Sequence, residues 1–159
     1  MRLSFEVARE QTGLNLRYEV QGDVSDIALP PARGRLRRDE LWKQTCFEAF
    51  LKAKDSVRYI EFNFAPNGDW AAYQFERYRQ GGSDLDIAAP DIQMERRSDK
   101  LILTAAIGAL PTDLLSGQIQ MGPAAILQTH QDTRSYWALE HPADQADFHR
   151  PETFKINLE

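Results

Sequence analysis

Cysteine is almost absent from this chain, and long apolar runs are absent altogether. The only cysteine among its 159 residues is Cys46, so no internal disulfide can form. Because Cys46 lies within a hydrophobic strand pattern, we expect a small buried side chain rather than a reactive thiol. No segment approaches the roughly 20 apolar residues that a membrane-spanning helix needs, and the first residues, MRLSFEVAREQ, contain no apolar secretory signal. These absences predict a cytoplasmic protein with no membrane partner.

Positive charge is in the minority. The chain has 24 Asp and Glu against 19 Lys and Arg, a formal net charge of -5 that repels a phosphate backbone, so nucleic acid is not a predicted partner. One local exception follows two prolines and comprises Arg33, Arg35, Arg37 and Arg38. Asp39 and Glu40 come next, so we interpret this segment as a solvated charged loop, with an anion site as the alternative.

Histidine is scarce, and motifs of metal or nucleophilic catalysis are missing. His141 and His149 flank two aspartates, but their spacing fits no zinc pattern and indicates a surface loop, so no metal site is predicted. There is no Ser, His and Asp arrangement and no glycine-rich phosphate loop, and the chain is therefore not predicted to be an enzyme. One catalytic alternative stays open. Glu48 and Glu61 on neighbouring strands would form a glycoside-active pair if they came within roughly 5 to 10 Å.

What the chain does contain is a series of short extended segments separated by turn residues. They cover 3–7, 14–20, 45–51, 57–64, 70–77, 92–97, 101–107, 119–128, 136–139 and 154–158. Turn chemistry is clearest at Pro66-Asn67-Gly68-Asp69, where Gly68 can take a positive φ. The best helical candidate, LPTDLLSG, spans barely two turns. These features predict an all-β fold, an antiparallel β-sandwich of about ten strands with at most one short helix, as a single domain over residues 1–159.

The segment from Leu41 to Arg79 carries the strongest alternation. Ile60, Phe62 and Phe64 fall on one face of its middle strand, and Tyr59, Glu61 and Asn63 fall on the other. The same parity places Phe47, Ala49 and Leu51 inward and Glu48 outward. In the third strand it is interpreted as Ala71, Tyr73 and Phe75 inward, with Trp70, Ala72 and Gln74 outward.

One outer surface would then hold Glu48, Glu61, Asn63, Trp70 and Gln74. Sugars suit such a surface because their hydroxyls need acceptors and donors, while their C–H faces pack on aromatic rings. The alternative is an ordinary solvated sheet face with cross-strand pairs.

Several motifs resemble a known family. The runs WKQTCFEAF from Trp42 and YIEFNFAPNGDW from Tyr59, with the C-terminal SYWALEHP and DFHRPETF, resemble DOMON-like proteins related to family 9 carbohydrate-binding modules. That resemblance implies a sugar held between two tryptophans, with acidic and amide side chains on its hydroxyls. Trp42, six residues before Glu48, matches the first tryptophan. Phe148, three residues before Pro151, stands where the second would be.

The predicted function is therefore non-catalytic binding of a small saccharide or sugar derivative. The predicted site residues are Trp42, Glu48, Glu61, Asn63, Trp70 and Phe148. No cofactor is predicted, but some relatives of this fold bind haem, and Met94 or Met121 with one of the histidines would then be the axial pair. A protein-binding sandwich is a further alternative, which an exposed apolar patch would favour.

Overall fold

A computed structural model describes residues 1–32 and 34–159, which form two antiparallel sheets packed face to face. The strands are β1 (Arg2–Arg9), β2 (Leu14–Gln21), β3 (Cys46–Ala53), β4 (Tyr59–Phe64), β5 (Trp70–Phe75), β6 (Ser83–Asp84), β7 (Asp91–Arg96), β8 (Lys100–Ile107), β9 (Ile119–Gln128), β10 (Arg134–Ala138) and β11 (Ile156–Leu158). One short helix, α1 (Thr112–Leu115), and two 3-10 turns, Leu41–Lys43 and Pro151–Thr153, complete the described elements. The predicted β-sandwich is confirmed.

The two sheets differ in size and strand order. The smaller has the order β1-β2-β8-β7, and the larger has the order β10-β9-β3-β4-β5-β6. Strand β11 also pairs with β9, next to the Ile119–Met121 half of that strand, while β10 pairs with the other half. Each of the ten predicted strands has a counterpart, and α1 lies inside the predicted helical segment. The additional strand, β6, falls between the predicted extended segments 70–77 and 92–97.

The main core lies between the sheets and follows the predicted alternation of β3 and β4. Phe47, Ala49 and Leu51 are buried there together with Phe62 and Phe64. The partner side comes from β2 and β8, which contribute fully buried apolar residues such as Leu14, Tyr18, Leu101 and Leu103. Because inward residues of β3 and β4 are used up in this core, their intervening residues must project from the outer side of the larger sheet.

The face assignment predicted for β5 was wrong by one residue. Trp70 pairs directly with Phe64, and Ala72 pairs with Phe62. Residues directly opposite in an antiparallel pair project to the same side, so Trp70 belongs to the inter-sheet core. Alternation could not decide the matter, because WAAYQF places an aromatic ring and an alanine on both faces. The register set by the preceding turn decides it instead.

That turn runs from Ala65 to Asp69 and has the predicted left-handed glycine. Gly68 has a φ of 92°, and the Asp69 amide donates to Asn67 Oδ1 at 3.0 Å. The buried Asp69 carboxylate accepts from the Leu36 amide at 2.9 Å and lies 3.2 Å from Arg38 Nε. The turn therefore holds the arginine-rich loop against the end of β5.

The described arginines of that loop bind the protein's own groups. Arg35 lies 3.2 Å from Asp91, and the Arg37 guanidinium lies 4.9 Å above the Trp70 ring while it donates to the Leu85 carbonyl at 2.8 Å. Their partners are thus distant in sequence, and not Asp39 and Glu40 as the sequence predicted. Arg33 lies outside the described residues.

No described helix is long and apolar enough to cross a membrane.

Candidate functional site

The outer side of the larger sheet is partly covered, because the chain folds back over it after β10. Six buried residues pack in a second core there: Phe50, Tyr59, Ala124, Ile126, Phe148 and Phe154. The open hydrophilic face predicted from alternation is therefore wrong. The outward rings of Phe50 and Tyr59 require an apolar cover, and residues 139–155 supply it.

Beside this cover lies a cleft of about 710 Å³. Its wall includes four predicted residues, Trp42, Glu48, Glu61 and Phe148. The rest of the wall was not predicted and consists of Arg79, Ile126, Tyr136, His149 and residues 144–146. The cleft brings together residues from β3, β4, β9, β10, the 3-10 turn Leu41–Lys43 and two loops, which explains why no single sequence segment revealed it.

The floor of the cleft contains two carboxyl groups. Glu48 on β3 is 3% exposed and Glu61 on β4 is 6% exposed. Neither has a lysine or arginine within ion-pair distance among the described residues; the nearest basic atom to Glu61 is His149 Nε2, at 3.5 Å from Oε2. Buried carboxylates without a countercharge are costly in their ionised form. The carboxyl groups of the cleft floor therefore lack a positive countercharge among the described residues.

Both carboxyl groups hold their protons more tightly than usual. Burial, and then the charge of Glu61, raises the pKa of Glu48 well above its ordinary value. Burial raises the pKa of Glu61 to about 7, against the opposing influence of the Asn63 amide and the Arg79 guanidinium. At neutral pH the pair consequently retains at least part of one proton, and can donate as well as accept hydrogen bonds.

Asn63 lies directly opposite Glu48 in the register of β3 and β4. It is fully buried, and neither its Nδ2 nor its Oδ1 has a described partner at hydrogen-bond distance, although the amide lies close enough to the Glu61 carboxyl group to lower its pKa. It does not form part of the cleft wall. An unsatisfied buried amide costs about 1–3 kcal/mol, so a polar partner supplied at this position would be stabilising.

A hydrogen-bonded chain leads to Glu61 from the C-terminal cover. The Arg79 amide donates to Tyr59 Oη at 3.0 Å, and Tyr59 Oη lies 2.8 Å from His149 Nδ1. In the tautomer that carries its proton on Nε2, the neutral imidazole accepts from the Tyr59 hydroxyl at Nδ1 and directs its N–H toward Glu61. The chain orients the imidazole against the cleft floor.

His149 is partly buried and packs among aromatic rings, which corrects the prediction of a surface loop. Its ring centroid lies 5.0 Å from that of Phe50 and 5.2 Å from that of Phe75. Burial, and then the positive charge of Arg79, lowers the pKa of His149 to about 4. His149 is therefore neutral at physiological pH and gives the two carboxyl groups no countercharge. Its place beside Phe148 in the motif DFHRP was the signal that could have identified it.

Asp147 anchors the cover to the loop after β5. It accepts hydrogen bonds from the Tyr78 hydroxyl and, at 2.8 Å, from Arg79 Nη2. Burial alone raises the pKa of Asp147, but these donors outweigh that effect and lower it. Arg79, which lines the cleft, is thus already bound to a carboxylate. Sequence reasoning missed both residues because they are 68 positions apart.

The aromatic residues of the cleft divide into exposed and packed rings. Trp42 is 47% exposed and lies in the 3-10 turn Leu41–Lys43 before β3. Phe148 is only 8% exposed, and its ring packs 6.4 Å from that of Tyr136. Tyr136, at 47% exposed, offers more ring surface to the cleft than Phe148 does. Tyr136, which the resemblance did not imply, is thus the second half-exposed ring of the cleft wall.

The remaining sequence predictions are placed elsewhere. Trp70 lies between the sheets and takes no part in the cleft, so its assignment to the outer surface is corrected. Met121 also lies between the sheets, on the opposite side of the larger sheet from His149, which separates this proposed haem pair. Cys46 is buried with a free thiol, and the described residues contain no group of three or more His, Cys, Asp or Glu that could hold a metal ion.

Comparison with known proteins supports the fold. The sequence matches no protein-family model, and no curated protein matches it. Among solved structures, a candidate carbohydrate-binding protein from Bacteroides uniformis ATCC 8492 is similar, with a TM-score of 0.66, 13% identity, and coverage of 96% of this chain and 75% of that one.

Two further similar structures are of a family 9 carbohydrate-binding module from Caldicellulosiruptor kristjanssonii. The glucose complex has a TM-score of 0.51 and the cellotriose complex one of 0.53, both at 13% identity and covering 86% of this chain. The chain spans 64% and 63% of those two chains. The predicted likeness to the fold of family 9 carbohydrate-binding modules is thereby confirmed, while the DOMON relationship stays a prediction.

Proposed function

We propose that the cleft binds a small saccharide without transforming it. The observation that carries this proposal is the meeting of a half-exposed indole, Trp42, with two buried carboxyl groups, Glu48 and Glu61, in one cleft. The volume of about 710 Å³ lies within the roughly 300–1,000 Å³ typical of small-ligand sites. Glucose and cellotriose bound to modules of the same fold support the ligand class.

Each part of the cleft has a role that suits a sugar. Trp42 and Tyr136 offer ring faces on which C–H groups can pack. Glu48 and Glu61 offer oxygen atoms that accept from hydroxyls and, while protonated, also donate to them. Because these two side chains project from neighbouring central strands, the hydrogen-bonding floor is rigid before the ligand arrives, which lowers the entropic cost of binding.

Glycoside hydrolysis is the second candidate, because a pKa of about 7 would suit Glu61 as a general acid. A glycosidase, however, keeps the pKa values of its two carboxyl groups apart, so that one group is protonated while the other is ionised. Here burial raises the pKa of both Glu48 and Glu61, so neither environment is of the kind that keeps a glycosidase carboxylate ionised. Binding is therefore the better supported of the two functions.

Calorimetric titration of the full chain tests the proposal. The ligands are glucose, galactose, mannose, xylose, cellobiose and cellotriose, with thermal unfolding measured alongside. We expect saturable binding of at least one sugar and a rise in melting temperature that increases with its concentration. Chromogenic glycosides should give no product. If none of these sugars and none of their amino derivatives binds, the proposed function is overturned. Release of product from a chromogenic glycoside would replace it with glycoside hydrolysis.

A further inference from the structure

We infer that the saccharide bound in this cleft is an amino sugar, whose ammonium group lies between the carboxyl groups of Glu48 and Glu61. This inference rests on the proposed function and adds to it the charge of the ligand. It comes from an imbalance between the acidic and the basic groups around the cleft.

The acidic groups on the cleft floor are unpaired. Glu48 is almost fully buried, borders the cleft, and forms no ion pair or side-chain hydrogen bond with a described residue. Glu61 borders the same cleft; its nearest basic atom is His149 Nε2, at 3.5 Å, and the Asn63 amide and the Arg79 guanidinium also act on its carboxyl group. Beside them, the Asn63 amide is completely buried without a partner. Glu48 and Glu61, on adjacent strands, thus have no lysine or arginine within ion-pair distance among the described residues, and the Asn63 amide is unsatisfied.

The basic groups around the cleft are already bound to other residues. Arg79 pairs with Asp147 at 2.8 Å, and Lys43, next to Trp42, pairs with Glu40 at 2.8 Å. His149 is held by Tyr59 and buried in its neutral form. Asp144 adds a further acidic residue to the wall. The described part of the cleft therefore has more acidic than basic groups, and no lysine or arginine lies within ion-pair distance of its floor.

An ammonium group would correct this imbalance. Hydrogen bonds between a cation and a carboxylate are stronger than those from a neutral hydroxyl, and a cation between two carboxylates removes their mutual repulsion. The exposed ring of Trp42 borders the same space and can attract a cation through its face, as it does the Lys43 ammonium, 5.6 Å from the ring centroid. A neutral sugar would leave Glu48 and Glu61 sharing a proton, whereas an amino sugar would allow both to ionise.

The inference predicts proton release on binding. The groups that face Glu61 are Glu48 on β3, Tyr59 on β4, Tyr73 on β5, Arg79 in the following loop and His149 in the cover. Of these, only the two carboxyl groups hold a proton that an incoming cation displaces near pH 7, since His149 is already neutral. Calorimetry in two buffers of different ionisation enthalpy measures the number of protons released.

The test compares matched pairs of ligands. Glucosamine, galactosamine and mannosamine are each titrated beside their neutral parent sugars, with N-acetylglucosamine as an uncharged derivative, at pH 7 and constant ionic strength. We expect at least one amino sugar to bind about ten- to a hundredfold more tightly than its parent and to release protons. The N-acetyl derivative should show neither effect.

Variants assign the preference to the carboxyl pair. Glu48→Gln and Glu61→Gln should reduce the affinity ratio between amino sugar and parent toward one, with folding verified by circular dichroism. Glu95→Gln, on β7 of the other sheet, is the control and should leave the ratio unchanged. If neutral sugars bind and no amino sugar binds more tightly, only this inference is overturned. If cyclohexylamine binds as well as the amino sugars, or if no sugar binds at all, the proposed function fails with it.

Discussion

Glu48 on β3 and Asn63 on β4 face each other across the centre of the larger sheet, one a carboxyl group without an ion partner and the other an amide without a hydrogen bond. A stable sandwich has no structural need for either, because apolar residues at both positions would pack without that cost. Their presence beside a cleft marks the one region of the described sheet where packing and polar satisfaction conflict. Such conflicts are typical of binding sites.

Trp42 should be required for binding and nearly irrelevant to stability. Its ring is about half exposed, so Trp42→Ala removes little buried surface and should lower the free energy of unfolding by less than about 1 kcal/mol. Loss of the stacking face should weaken sugar binding by about tenfold or more. Urea unfolding and calorimetry measure the two effects. Val57→Ala, another exposed apolar truncation away from the cleft, serves as control, and unchanged affinity in Trp42→Ala would show that the ring is not a contact.

Trp70 should show the opposite behaviour. It is buried between the sheets beneath Arg37, so Trp70→Ala leaves a cavity and should lower the free energy of unfolding by about 3–5 kcal/mol. Trp70→Phe should recover much of that loss, since a ring then fills most of the space. Chemical denaturation of both variants provides the measurement. A mild effect of Trp70→Ala would contradict the register that pairs Trp70 with Phe64.

The contrast between these tryptophans shows what the sequence could and could not predict. Strong alternation in β3 and β4 predicted the inner faces correctly, because polar and apolar residues are cleanly separated there. WAAYQF has no such separation, and the face of Trp70 depended on a turn register that residue types alone do not specify. The position of Trp42 beside Glu48 came from the resemblance, not from periodicity.

The C-terminal cover was the larger omission. ADQADFHRP has no strand or helix period, so nothing in its pattern indicates that Phe148 and His149 fold onto the outward rings of Phe50 and Tyr59. The outward rings of Phe50 and Tyr59 were the available signal, because aromatic residues on a sheet face predicted to be solvated require another segment to bury them. Contacts between loops 68 positions apart, such as Arg79 with Asp147, carry no local signal.

Glu61 should make the protein less stable as the pH rises. Its folded pKa of about 7 lies above the ordinary 4.5, so the folded state binds more protons between these values and stability falls across them. Glu61→Gln should therefore stabilise the protein by about 1–3 kcal/mol at pH 8 and by almost nothing near pH 4.5. His149 has the opposite dependence between pH 4 and 6.5, because its folded pKa is lowered to about 4 from 6.5.

Urea unfolding of wild type and Glu61→Gln at pH 4.5, 6, 7 and 8 isolates the carboxyl contribution, since His149 is present in both proteins. Glu95→Gln, which removes an exposed carboxylate paired with Arg97, should show no such dependence on pH. A stability difference that stays constant between pH 4.5 and 8 would contradict the raised pKa of Glu61.

Asn63 offers the clearest separation of stability from function. Asn63→Val removes an amide that has no described partner at hydrogen-bond distance, and valine favours the β-strand conformation. The free energy of unfolding should therefore rise by about 1–2 kcal/mol. Asn15→Val, on an exposed position of β2 where the amide donates to Glu10 Oε1 at 2.9 Å, is the control outside the cleft and should give a smaller gain. If the Asn63 amide helps to position Glu48 and Glu61 for the ligand, Asn63→Val should bind sugar more weakly in calorimetry. A destabilised Asn63→Val protein would show instead that the amide is satisfied in solution, and that its burial serves the fold rather than the cleft.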